Sequence, residues 1–226
     1  MNRRTVVVSG GMLDEEFTLQ ILKSEETEYI VAADHGLEFL YKHGIKPDYI
    51  VGDFDSTSEE IVNYYKTETK VPIRQFNPVK DASDTEIALR LCLNMGRKNI
   101  VILGGTGTRI DHIWANVQSL KIAKDAGAEA CLMDAHNRIR LLDESSVIRK
   151  AEAFGPYFSV FPLDGEIIDF NITGAKYPLH HHTLMPFDSL CVSNEWEEEE
   201  VEIIFPVGNV ILMETRDEGK AEYEKI

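Results

Sequence analysis

The feature that most constrains the fold is a repeated alternation in the first two thirds of the 226-residue chain. Short apolar runs at 5–9, 29–33, 49–51, 73–76, 99–103 and 129–133 are separated by segments of helical pattern at 14–23, 37–43, 61–65, 84–95 and 112–125. Strand followed by helix, many times over, implies βαβ units and a parallel sheet. After about Arg140 the helical periodicity fades. Short β-like runs at 157–161, 166–170, 189–193, 201–205 and 210–215 replace it, punctuated by Gly, Pro, Asn and Asp, a pattern of an antiparallel sandwich or barrel. The shift in character predicts an α/β domain with a mostly parallel sheet over 1–143 and an all-β domain over 144–226.

Charge and cysteine usage narrow the function. A net charge of −16 speaks against nucleic-acid binding, which needs a basic footprint. An anionic substrate stays reasonable if some carboxylates hold divalent cations that bridge to phosphates. The glutamates at 195 and 197–200 read as a solvated turn. Cys92, Cys131 and Cys191 are scattered and form no C-x-x-C pair, so buried reduced thiols are expected rather than disulfides or zinc. No apolar run approaches the roughly 20 residues of a membrane span. The run after Arg3-Arg4 is too short for a signal peptide and predicts a first core strand, so a cytoplasmic protein is expected.

Four segments carry chemistry. Gly52-Asp53-Phe54-Asp55-Ser56 follows an apolar strand. In an extended chain residues two apart share a side, so Asp53 and Asp55 converge while Phe54 turns inward. Paired carboxylates at the carboxyl end of a strand suit magnesium; the alternative is a polar loop that caps the next helix. Lys80-Asp81-Ala82-Ser83-Asp84-Thr85-Glu86 opens a helix. A capping box explains Ser83 and Glu86 but not Asp81 or Lys80, which read as a carboxylate ligand and a phosphate contact. Gly104-Gly105-Thr106-Gly107-Thr108-Arg109-Ile110-Asp111-His112 runs from a strand into a helix. Its glycines let backbone N–H groups approach phosphates, and Arg109 adds a cationic fork. It is neither a Walker A loop nor a dinucleotide fingerprint. Asp111 either caps the helix or helps hold metal or nucleotide. Asp34, after another strand, lines the same edge or caps a helix. His180-His181-His182 reads as an exposed loop, since adjacent side chains splay apart.

Taken in order, these segments resemble the thiamine pyrophosphokinase family over nearly the whole chain. The resemblance rests on Ala33-Asp34-His35-Gly36-Leu37, Gly44-Ile45-Lys46-Pro47-Asp48, Val51 to Ser56, Lys80 to Glu86 and the 104–112 segment. Gly174-Ala175-Lys176-Tyr177-Pro178-Leu179 and Val192-Ser193-Asn194-Glu195 continue it. It implies an ATP-binding α/β domain, a C-terminal β-sandwich, and a homodimer with thiamine between subunits. It implies Mg2+-dependent transfer of a diphosphoryl group from ATP to thiamine, leaving AMP. By resemblance Asp53, Asp55 and Asp81 are the magnesium and diphosphate carboxylates. Asp84, Thr85, Arg109 and Asp111 are nucleotide or phosphate contacts, and Ser193 and Asn194 belong to the thiamine pocket; Asp34 and Lys80, read from their positions, join the binding candidates. Members often carry glycine where His35 stands, and some stack a tryptophan on thiamine; Trp196 lies just after the Ser-Asn pair. Two rival readings stand beside this one. Asp53-Phe54-Asp55-Ser56-Thr57 spells the D-x-D-x-T nucleophile motif of haloacid-dehalogenase-type phosphatases, although two strands precede it. A nucleotide or thiamine sensor without turnover is the other.

Overall fold

The computed structural model describes residues 3–55, 57–77, 81–107 and 109–217. The chain divides into two compact units, between Ala135 and His136.

The first unit is built from β1 (Arg4–Val8), α1 (Glu15–Lys23), β2 (Thr27–Ala33), α2 (Gly36–Lys42), β3 (Tyr49–Gly52), α3 (Glu59–Glu68), β4 (Ile73–Gln75), α4 (Asp84–Asn94), β5 (Asn99–Leu103), α5 (Ile110–Asp125) and β6 (Glu129–Met133). Its strands lie in the order β6-β5-β1-β2-β3-β4, and every pair among them is parallel. Val6, Val7, Val8, Ile100 and Ile102 are fully buried, as strands covered on both faces must be. The helices start where their sequences allow. Asp14 caps α1, its carboxylate accepting the Phe17 N–H at 2.8 Å, and Ser83 caps α4 by accepting the Glu86 N–H at 3.2 Å. Such caps stabilise a helix by about 1 kcal/mol. From β1 the chain winds outward through β2, β3 and β4, then returns to place β5 on the other side of β1. That reversal leaves a crevice at the carboxyl ends of β1 and β5, the topological switch point where open α/β sheets bind ligands.

The second unit is antiparallel throughout. β7 (Asn137–Leu142), β14 (Val210–Thr215), β9 (Tyr157–Pro162) and β12 (Asn194–Glu195) are successive neighbours. β8 (Ser146–Arg149), β13 (Glu200–Ile204), β10 (Ile167–Thr173) and β11 (Leu179–Leu184) form a separate sheet. Inward side chains of both sheets, among them Phe158, Val160, Leu212, Phe170, Ile172 and Ile203, share one core. This is a sandwich, and the fold class expected from the sequence holds for both units. The division falls ahead of the expected 143/144 boundary because Asn137–Leu142 pairs along its whole length with Val210–Thr215. Residues 189–193, expected as a strand, form none; 190–193 are turn instead. The three histidines, expected in a loop, lie in β11. His181 Nδ1 faces Asp169 at 2.6 Å and His182 Nε2 faces Asp188 at 3.3 Å, so the two rings turn to separate acids. Of the glutamates expected in a solvated turn, Glu197–Glu199 are exposed in a bend, whereas Glu195 lies half-buried in β12 and Glu200 in β13. None of the three cysteines is in a disulfide, and burial pushes Cys92 up to about 12 and Cys191 up to about 11, which makes both inert. No helix among the described residues is long and apolar enough to cross a membrane.

Candidate active site

A cavity of about 730 Å³ opens at the switch point of the first unit, within the roughly 300–1,000 Å³ typical of small-molecule sites. Ser9–Met12 enter it from the end of β1, Asp34 and His35 from β2, and Gly104–Gly107 from β5. Ser83, Asp84 and Thr85 come from the first turn of α4, and Arg109, His112, Ile113 and Asn116 from the start of α5. Four βα junctions therefore converge on one space.

Asp34 and Asp84 are the carboxylates of the lining, and Asp53 and Asp55 gather on Asp34. Asp34, Asp53 and Asp55 each offer an oxygen, and these atoms lie within 4.8 Å of one another. The parallel register brings this about: Ala33 pairs with Val51, and the Asp34 N–H continues the ladder to the Val51 carbonyl at 2.9 Å. Asp34 (φ 48°) and Phe54 (φ 63°) both sit in the left-handed region, a costly conformation that clusters at functional sites. The convergence of Asp53 and Asp55 thus comes from a kink at buried Phe54, not from the extended chain the sequence suggests. Asp53 Oδ1 accepts the Asp55 N–H at 3.2 Å and holds the kink. Thr57 Oγ1 reaches Asp34 Oδ1 at 3.5 Å. The charge of Asp53 pushes the Asp55 carboxyl above its ordinary range; its hydrogen bond to Asp53, desolvation, and the charges of Asp34 and Asp84 act the same way. A divalent cation relieves such crowding, and an all-oxygen donor set fits magnesium. Asp81 is exposed and lies outside this group. Lys80 lies outside the described residues.

The glycine loop is pinned from two sides. The Gly11 N–H donates to the Gly104 carbonyl at 2.9 Å and the Met12 N–H to the Thr106 carbonyl at 3.1 Å. The approach is so close that a Cβ on Gly11 would collide with the carbonyl oxygens of Gly104 and Thr106. Gly104 (φ +67°) is barred to other residues by conformation and by the Ser9 carbonyl. From beneath, buried Asn116 donates Nδ2 to the Gly105 carbonyl at 2.8 Å. Asn116→Ala removes that donor and should lower stability by about 1–3 kcal/mol, read as a shift in the urea midpoint. Buried Ser9 and Thr85 bond at 2.5 Å through their hydroxyls and tie β1 to α4.

Arg109 and Asp111 pair with each other, Nε to Oδ1 at 3.2 Å and Nη2 to Oδ2 at 2.6 Å, on an exposed surface. The hydrogen bond from Arg109 holds the Asp111 carboxyl below its usual range. Asp111 does not cap α5, whose N-cap is Arg109. An exposed pair of this kind is weak, so the Arg109 fork can turn to a phosphate in the cavity it lines. In the second unit, Ser193 is exposed at φ 58°, its N–H donating to Ser159 Oγ at 3.0 Å. Asn194 is buried: Oδ1 accepts the N–H groups of Tyr177 at 3.0 Å and Glu195 at 2.9 Å, and Nδ2 donates to the Tyr177 carbonyl at 2.9 Å. Asn194 therefore staples the Tyr177 segment in place. Trp196 is buried edge-on against Phe158, with ring centroids 4.9 Å apart.

Comparison with known proteins settles the family. The profile "Thiamin pyrophosphokinase, catalytic domain" matches residues 21–132, and "Thiamin pyrophosphokinase, vitamin B1 binding domain" matches 145–210. This chain belongs to the thiamin pyrophosphokinase family. The thiamine pyrophosphokinase of Bacillus subtilis is 29% identical over 212 residues, 93% of this chain and 98% of that protein. The crystal structure of the Bacillus subtilis enzyme superposes with a TM-score of 0.84 over 95% of this chain and 100% of that one, at 29% identity. That of the Geobacillus thermodenitrificans enzyme gives 0.82 at 26% identity, covering 96% and 100%.

Within this thiamin pyrophosphokinase fold, the catalytic-domain match spans the cavity residues from Asp34 to Asn116. Ser9–Met12 precede the matched span, yet they form one wall of the cavity. None of these four residues stands among the site candidates read from the sequence. The glycine pair straight after a first strand was the available signal. Asn116 carried none, because its role depends on a carbonyl eleven residues away.

Proposed function

We propose that the first-unit cavity binds ATP with magnesium and passes its β,γ-diphosphoryl group to the hydroxyl of thiamine. By family the chain is a thiamin diphosphokinase; the metal, the residue roles and the assembly are the proposal. The observation that carries it is the convergence of Asp34, Asp53 and Asp55 beside a glycine-lined cavity at the switch point. Asp53 and Asp55, joined by Asp34, would hold magnesium, and Asp81 is kept as a ligand on the resemblance alone. Bound there, the ion would neutralise phosphate charge. The Gly104–Gly107 backbone and Arg109 receive phosphate oxygens, while Thr85 and Asp84 face the nucleotide from α4. The thiamine oxygen attacks the β-phosphorus in line, the bond to the bridging oxygen of the α-phosphate breaks, AMP leaves, and the hydroxyl proton is lost. Positioning and charge neutralisation supply most of the rate in such chemistry. Lys80 and Asp111 are assigned as further phosphate or nucleotide contacts. Ser193 belongs to the thiamine pocket, with Asn194 shaping it through Tyr177. We assign the chain to the cytoplasm as a homodimer whose thiamine sites lie between subunits.

Purified protein incubated with thiamine, ATP and magnesium should yield thiamine diphosphate and AMP in equal amounts, resolved by chromatography. Thiamine monophosphate with ADP would mean single phosphoryl transfer. Free phosphate released from phosphate esters would favour the D-x-D-x-T reading, and ligand binding without AMP would favour a sensor.

A further inference from the structure

The two chain segments that bring the clustered carboxylates together are tied to each other a second time. Asp34 follows β2 and leads into α2; Asp53 and Asp55 follow β3 and precede α3. From the first turn of α2, Glu38 reaches the other segment, its Oε1 accepting the Ser58 N–H at 2.9 Å. His35 Nδ1 stands 3.6 Å from the same oxygen. Ser58 is the N-cap of α3, yet its hydroxyl makes no capping bond among the described residues. In a capping box the third residue of the helix reaches back to the N-cap N–H. In α3 that residue is Ile61, whose side chain has no acceptor. Glu38 thus supplies from a neighbouring helix what α3 cannot supply itself. The same two helices pack again further on, Tyr41 edge-on to Tyr64 with ring centroids 5.1 Å apart. The backbone held by this tie is costly. Asp34 at φ 48° and Phe54 at φ 63° adopt conformations that persist only where the surroundings over-determine them. Buried Thr57 gives one restraint, Oγ1 to Asp34 Oδ1 at 3.5 Å; Glu38 gives a shorter one.

We propose that Glu38 is a positioning residue for the divalent-cation site, holding Ser58 to α2 and so keeping the turn of Asp53 and Asp55 closed on Asp34. Glu38 is not itself one of the grouped carboxylates; it acts through the backbone that carries them. The inference rests on the magnesium reading above. Partners that orient metal ligands in this indirect way commonly change metal affinity by about 10–100-fold.

Manganese is the probe, because it suits the same oxygen ligands and its free ion gives a paramagnetic resonance signal that disappears on binding. Titrated into the protein without nucleotide, manganese should bind Glu38→Ala about tenfold more weakly than wild type. Glu38→Gln keeps an oxygen that can accept the Ser58 N–H, so its affinity should stay within about twofold of wild type. In turnover, Glu38→Ala should raise the magnesium needed for half-maximal rate, with kcat at saturating magnesium and the KM for thiamine near wild type. A Glu38→Ala variant that melts lower but binds manganese normally would make Glu38 a structural cap and overturn the proposal. Equal weakening in Glu38→Ala and Glu38→Gln would also overturn it, since the charge and not the bond would then be acting. A wild-type chain that takes up no manganese at millimolar concentration, or takes it up equally well as Asp53→Asn, would overturn the magnesium reading itself.

Discussion

Replacing Asp53 by Asn should lower kcat on the order of a hundredfold or more while leaving the melting temperature close to wild type. Asparagine keeps the shape of the side chain, and Oδ1 can still accept the Asp55 N–H that it accepts at 3.2 Å. The kink at Phe54 therefore survives and only the charge is lost. One fewer negative charge in a group whose oxygens lie within 4.8 Å weakens its hold on a divalent cation. Asp34→Asn should behave alike, since the register of β2 against β3 places its carboxylate in the same group. The loss should be partly recovered at raised magnesium, measured as thiamine diphosphate formed per unit time over a magnesium series. Near-normal turnover of Asp53→Asn at low magnesium would sink the assignment of the cation to these residues.

The largest effect on stability is expected away from the cavity, in the second unit. Glu214 is 1% exposed and its carboxylate is taken up by two arginines. Arg138 grips it with Nε at 2.8 Å and Nη2 at 2.6 Å, Arg140 adds Nη2 at 3.0 Å, and the Phe154 N–H donates at 3.4 Å. The cluster joins β7 to β14 where Arg138 and Glu214 stand directly opposite each other. Removing one partner of such a buried set costs about 3–5 kcal/mol, a large share of the roughly 5–15 kcal/mol that holds a domain together. The arginines keep some access to water, with side-chain exposures of 23% and 33%, so the loss for Glu214→Ala belongs near the lower bound. Urea unfolding should show it as a lower midpoint. Glu214→Gln should lose less, because the amide oxygen can still accept from Arg138. An Ala variant as stable as wild type would mean that the ionic set offers no net stabilisation.

Different parts of the molecule were legible in the sequence to different degrees, for identifiable reasons. β5 and β6 could be bounded to the residue because each is a polar residue followed by four apolar ones, the run that a largely buried parallel strand requires. The cap of α4 was legible because Ser83 bonds only three residues ahead, at the Glu86 N–H. β7 and β11 were hidden. In Asn137–Leu142 the inward positions include Arg138 and Arg140, which read as solvent-facing until a glutamate 76 residues away pairs with them. In β11 three consecutive histidines erase any alternation of polar and apolar residues.

The site divides along the same line. By itself the sequence determined the chemistry on offer: carboxylates after β2 and β3, glycines after β5, a cap and acids at α4, and the family those motifs belong to. All of these are local, fixed by neighbours within a few residues. Only the tertiary structure decided which of them meet. Asp34 joins Asp53 and Asp55 while Asp81 stays outside. The Ser9–Met12 segment becomes a wall because β1 lies beside β5 rather than beside its sequence neighbour alone. Asn194 becomes a staple because Tyr177 returns to it. Each of these depends on strand order and register, which are settled by the packing of the whole sheet and leave no mark within a short stretch of chain.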